Sequence, residues 1–167
     1  MMKVIDDFLP DYHFRSLSNI LLGNDFSWFY NEDTAIEGDG YSHFINMFYK
    51  KYPVRDVSET LGPTKSFPKI EPYLPFFKMK ELYRIKANLA PRTVFHKKTG
   101  WHVDNLPCST TAILYMNTNN GWTEFKKGGK VKSVANRLVT FDSDLEHQGV
   151  TCTDKKRRVL INFNYDL

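Results

Sequence analysis

The chain has 167 residues, 41% of them apolar and 25% charged, and a formal net charge of +4. This length suits one domain that buries enough surface to fold without a disulfide or a metal staple. The composition excludes disordered and collagen-like chains, and so small a net charge does not by itself select a nucleic-acid partner.

Aromatic residues reach 15%, which supplies large rigid side chains for a core. Two cysteines, Cys108 and Cys152, form neither a zinc-knuckle spacing nor a secreted disulfide framework, and whether they pair is left open. The N-terminus turns acidic at Asp6-Asp7, before any signal-type apolar region could form. No apolar run is long enough to span a bilayer, so the expected location is the cytoplasm, with no membrane partner. Three lysine-rich clusters, Lys97-Lys98, Lys126 to Lys132 and Lys155 to Arg158, read first as solvated turns and second as a basic binding face.

In chain order, the first 80 residues carry helical signals. Tyr12 to Leu22 places apolar residues at helical spacing between Pro10 and Gly23, which predicts a helix. Val54 to Leu61 predicts a second, shorter helix before Gly62-Pro63, and Ile70 to Met79 a third helical piece interrupted by prolines. Phe44 to Tyr52 fits either helix or strand. From Glu81 the pattern alternates: Glu81 to Leu89, Thr110 to Asn117, Arg137 to Asp142 and Arg158 to Tyr165 read as strands, separated by Asn- and Gly-rich turns. Helices followed by short strands predict a mainly β domain with flanking helices, a sandwich or barrel. Residues 1–80 would be helical support and 81–167 the core of a single domain.

The last strand is informative. Period two puts Val159, Ile161, Phe163 and Tyr165 on a core face and Arg158, Leu160, Asn162 and Asn164 on the other. The second face meets either bulk water or a wet interior. An Arg inside a barrel demands an anionic partner, and its planar fork suits a carboxylate.

His102 and Asp104 stand two residues apart, so in extended chain both reach one side, and His147 follows 45 residues after His102. Two imidazoles and one carboxylate match the facial triad of non-haem Fe(II) oxygenases, which leaves adjacent coordination sites open. The tripeptide alone is a weak signal; the company of His147 and Arg158 strengthens it.

With these residues in view, the chain resembles the Fe(II)/2-oxoglutarate dioxygenases of the prolyl 4-hydroxylase-like branch, including oxygen-sensing prolyl hydroxylases and small bacteriophage-type members. The resemblance is carried by Trp101 to Asn105, Ala112 to Asn117, Gly121 to Phe125, Asn136 to Phe141, His147 and Arg158 to Phe163. It implies a double-stranded β-helix (a cupin-like jelly roll). It implies His102, Asp104 and His147 as catalytic iron ligands, and Arg158 with Tyr115 at the far carboxylate of 2-oxoglutarate. Asn88 falls near another cosubstrate contact. The implied cofactors are Fe(II), 2-oxoglutarate and O₂, with ascorbate as an auxiliary reductant. The implied reaction hydroxylates a substrate with release of succinate and CO₂.

A prolyl residue of a protein or peptide is the first substrate choice on this resemblance. An oxygenase acting on nucleic acid and a non-catalytic metal-binding jelly roll are the alternatives. Asp104 stands where a halogenating relative would carry a small residue, which favours hydroxylation. Nucleobase demethylases of the AlkB type carry a second Arg six residues after the cosubstrate Arg; that position here is Asn164. Thr93 to Gly100 and Asn105 to Ser109 would flank the mouth and gate substrate, and Trp101 and Trp122 are contacts or core. A phage origin would place the protein in the host cytoplasm.

Overall fold

A computed structural model describes residues 2–33, 41–51, 61–104 and 106–167. Along them run β1 (Lys3–Ile5), α1 (Asp11–Leu22), β2 (Phe29–Asn31), β3 (His43–Lys50) and β4 (Gly62–Pro63). Two 3₁₀ turns follow, Phe67–Lys69 and Glu71–Phe76. Then come β5 (Glu81–Pro91), β6 (Thr110–Tyr115), β7 (Trp122–Phe125), β8 (Gly129–Lys132), β9 (Leu138–Asp142), β10 (His147–Val150) and β11 (Arg157–Asp166).

The strands form two sheets. The larger has the order β1-β9-β6-β11-β5-β3-β2, with β4 also on β3, and the smaller is β10-β7-β8. Every pair is antiparallel. The mainly β jelly roll expected from the sequence is the architecture found, with the helical residues covering one face of the large sheet.

β11 explains the layering. Its alternation sends Val159, Ile161 and Phe163 into a core shared with Leu17 and Leu21 of α1 and with Tyr73 and Phe77. Phe163 is fully buried, with its ring centre 4.1 Å from that of Phe77. Burial of such a side chain contributes about 1.5–3 kcal/mol. The opposite face of β11 looks at the small sheet, so of the two readings it is an interior face and not one open to bulk water. Leu160, Ile113, Tyr115, Val139 and Phe141 of the large sheet pack there against Phe125 and Val131 of the small one.

The helix Tyr12 to Leu22 is found, starting one residue earlier. Gly23 ends it in extended backbone (φ −71°), so no left-handed cap is involved. It is needed for closeness: a Cβ there would meet the Asn19 carbonyl oxygen at 2.6 Å. The ambiguous segment at Phe44 is strand β3. Six of its eight residues are buried, which is why no clean alternation marks it. The expected third helix is only the 3₁₀ turns, because Pro68, Pro72 and Pro75 remove the donors a longer helix needs. The helix expected at Val54 to Leu61 falls, Leu61 apart, outside the described residues.

The N-terminus is tied down by Asn136. Its side-chain amide donates to the Leu9 carbonyl at 2.8 Å and accepts from the Leu9 N–H at 3.0 Å. Cys108 and Cys152 are both free thiols. Among the described residues, no helix is long and apolar enough to cross a membrane.

Candidate metal and anion site

The two histidines meet through the backbone. His102 and His147 form an isolated antiparallel bridge in which each N–H bonds the other's carbonyl, at 3.0 and 2.9 Å. Residues paired this way project to the same side. Their ring centres lie 4.5 Å apart. Each ring turns Nδ1 to a nearby carbonyl, His102 to Gly100 at 3.1 Å and His147 to Leu145 at 3.0 Å. With Nδ1 as donor, Nε2 keeps its lone pair, the tautomer a metal ligand needs. Gly100 presents its carbonyl from a left-handed backbone (φ 85°), which glycine adopts without strain.

Asp104 completes the group. One ligand atom each from His102, Asp104 and His147 lie within 4.8 Å of one another. Burial pushes the Asp104 carboxyl up, but Arg84, His147 and Asn164 outweigh it and hold it well below the usual carboxylate range. Burial and the neighbouring His147 hold His102 below its ordinary value. Two nitrogens and one oxygen are a donor set suited to Fe(II), and with both imidazoles oriented and the carboxylate ionised these residues fit such an ion.

Arg158 stands on the same inner face, at the opposite end of β11. It is 6% exposed, and no carboxylate of the described residues forms an ion pair with it. Nε donates to Ser133 Oγ at 2.8 Å and Nη2 to Thr123 Oγ1 at 3.1 Å. Burial, the largest cause, lowers its pKa. Gly121 makes room for it: a Cβ there would meet Arg158 Cδ at 2.8 Å and the Val150 carbonyl oxygen at 2.7 Å.

Tyr115 is fully buried and donates its hydroxyl to Thr123 Oγ1 at 2.7 Å. Thr123 Oγ1 therefore accepts from both Tyr115 and Arg158, and its own proton is left to point elsewhere. Asn88 lies in the row Ile45, Asn88, Leu160, Tyr115 that crosses four strands, between Arg158 and the Asp104 end. Its side chain donates to the Lys86 carbonyl at 3.3 Å. Asn162, one row further, has a buried Oδ1 with no hydrogen-bond partner among the described residues.

Thr123, Ser133, Arg84 and Asn162 were not singled out as site residues by sequence reasoning. Thr123 lies within β7 and Ser133 directly follows β8, short strands of the small sheet in which alternation is too brief to mark a face. Trp122 is not at this site. It lies on the outer side of the small sheet, with its ring 4.8 Å from that of His96 and 4.9 Å from Lys130 Nζ. Trp101 is 37% exposed beside His102. Part of the expected gate is pinned rather than loose: Thr99 N–H bonds the Gly149 carbonyl and Thr151 N–H that of Lys97, both at 3.0 Å, which lays residues 97–102 along β10. Val94 and Phe95 remain exposed. Asn105 lies outside the described residues.

No family model matches the chain, and no curated protein matches it. Solved structures do. A Pseudomonas putida prolyl-4-hydroxylase superposes with a TM-score of 0.60 at 16% identity, over 99% of this chain and 92% of the other. A 2OG-Fe(II) oxygenase family protein from Burkholderia pseudomallei gives 0.65 at 10% identity, over 98% and 84%. A Trichoplax adhaerens prolyl hydroxylase, in complex with a hypoxia inducible factor peptide fragment, gives 0.58 at 12%, over 99% and 83%. The identity is low and the fold is consistent across these neighbours.

Proposed function

We propose that this chain is an Fe(II)- and 2-oxoglutarate-dependent oxygenase. The observation that carries the reading is an interior with three convergent metal donors at one end and, at the other, a buried arginine with no carboxylate partner among the described residues. A linear dicarboxylate answers both ends, with one end at the metal and the other in the arginine fork. The fold shared with prolyl 4-hydroxylases and 2OG-Fe(II) oxygenases supports it.

In this reading His102, Asp104 and His147 hold the iron, which when bound supplies the activation of O₂ that no side chain can. Arg158 binds the distal carboxylate. Thr123 offers that carboxylate its remaining hydroxyl proton, and Tyr115 holds Thr123 in place. Leu160, Ile113, Val139 and Phe141 line the interior with apolar surface. Asn88 would touch the middle of the cosubstrate, and Asn162 Oδ1 would accept a hydrogen bond from the substrate.

The substrate we favour is a prolyl residue of a protein or peptide, converted to its hydroxylated form with release of succinate and CO₂. The prolyl hydroxylases among the fold neighbours, one of them holding a peptide, support this choice.

The test is anaerobic. Fe(II) and then 2-oxoglutarate are added, the visible spectrum is recorded, and succinate is assayed after O₂ is admitted with proline-containing peptides. A weak charge-transfer band and peptide-stimulated succinate are expected. Stimulation by oligonucleotides instead would move the substrate to nucleic acid. Iron bound to folded protein with neither band nor succinate would leave a non-catalytic jelly roll.

A further inference from the structure

Arg84 of β5 stands directly opposite Asn164 of β11 in the strand register. Both point to the inner face and both are buried, at 6% and 0% exposure. Arg84 Nη2 lies 2.9 Å from Asp104 Oδ1, and Arg84 Nε donates to Asn164 Oδ1 at 3.0 Å. Asn164 Nδ2 in turn donates to Asp104 Oδ2 at 2.8 Å. Arg84, Asp104 and Asn164 thus close a ring. Thr111 Oγ1 faces the same Oδ2 at 3.3 Å.

This arrangement divides the two carboxylate oxygens. Each has two acceptor positions. Oδ2 meets Asn164 and Thr111, whereas among the described residues Oδ1 meets only Arg84, as an ion pair, and keeps a position open. A buried carboxylate without a counter-charge is costly, so Arg84 supplies a cation that does not depend on any bound ion.

We propose that Arg84 is the resident counter-ion of the metal site. It is a positioning residue that acts through Asp104: it neutralises the carboxylate before an ion arrives and leaves Oδ1 as the oxygen offered to it. Asn164 sets the rotation of the carboxylate. The site is thereby assembled without metal, and an arriving ion takes over a charge that Arg84 already balances. The inference rests on the metal-site reading above.

Thermal unfolding of the EDTA-treated protein, with and without saturating Mn(II), separates the possibilities. Arg84→Met should lower the metal-free Tm by about 6–20 °C, the scale of a broken buried ion pair in a chain of this size. Mn(II) should restore more than half of that loss, so its stabilising shift is larger than in the wild type. Arg84→Lys keeps the charge and should lose less than half as much as Arg84→Met. Asn164→Ala should instead weaken Mn(II) binding about 10–100-fold, as loss of an outer-shell partner does.

If Arg84→Met is unfolded without metal, recovery of its circular dichroism on adding Mn(II) supports the proposal, and failure to recover overturns it. Equal Tm losses with and without Mn(II) would reduce Arg84 to packing and overturn it. Wild-type protein that binds neither Mn(II) nor Co(II) would instead defeat the metal-site reading itself.

Discussion

The Arg158 guanidinium carbon lies 5.5 Å from the centre of the Tyr115 ring, and both side chains donate to one oxygen, Thr123 Oγ1. A cation, an aromatic hydroxyl and a threonine are thereby locked together, and no carboxylate of the described residues neutralises them. Fixed donors around a buried cation are what the proposed carboxylate pocket requires.

Arg158→Met should raise the Kd for 2-oxoglutarate by about 100-fold or more, since two charge-assisted hydrogen bonds contribute about 1.5–3 kcal/mol each. Anaerobic titration of the Fe(II) protein measures this. Mn(II) affinity should stay near the wild-type value. Unchanged 2-oxoglutarate affinity would remove Arg158 from the pocket.

Thr123→Val keeps the shape and deletes the shared oxygen. The Tyr115 hydroxyl and Arg158 Nη2 each lose an acceptor, and the ligand loses a donor. The expected result is about tenfold weaker 2-oxoglutarate binding, together with a Tm lower by roughly 2–8 °C. A loss of Tm with full cosubstrate affinity would show that Thr123 only braces its neighbours.

His147→Ala should abolish metal binding in the micromolar range and leave no succinate formation above background. Isothermal titration with Mn(II) and a succinate assay are sufficient checks. The metal-free protein should remain folded, because the His102–His147 bridge is made by backbone atoms. His102→Ala should behave alike, and wild-type turnover in either variant would overturn the ligand assignment.

The acid limb of stability follows from His102. Burial and then His147 lower its pKa in the folded chain. Between its ordinary value of about 6.5 and the lower folded value, the unfolded chain takes up a proton that the folded one refuses. Stability of the metal-free protein should therefore fall as pH drops below about 6.5, with His102→Gln reducing the slope. Tm measured from pH 8 to pH 5 gives the comparison, and an unchanged slope in the variant would place the acid sensitivity elsewhere.

Much of this site is legible in the chain because two short-range rules place it. Period two in β11 puts Arg158 on the inner face, and the i, i+2 spacing brings Asp104 to the side of His102. The strands of the large sheet are long enough for alternation to show. β3 is not readable, since burial on both faces erases the pattern. Arg84 is hidden for a different reason: its partner Asp104 lies 20 residues away, and Asn164, opposite it, 80 residues away. Only the register of β5 against β11 brings them together.

The ten residues of β11 carry Arg158 near one end and Asn164 near the other, on one face, with the helix-side core on the reverse. A single inserted or deleted codon between them would turn one part of the strand over relative to the other, exchanging Phe163 for a polar neighbour and taking Asn164 away from Asp104. Length variation in this chain should therefore survive in the turns at residues 126–128 and 153–156, where exposed lysines sit. Between Arg158 and Asn164, random insertion and deletion libraries should return no active clones.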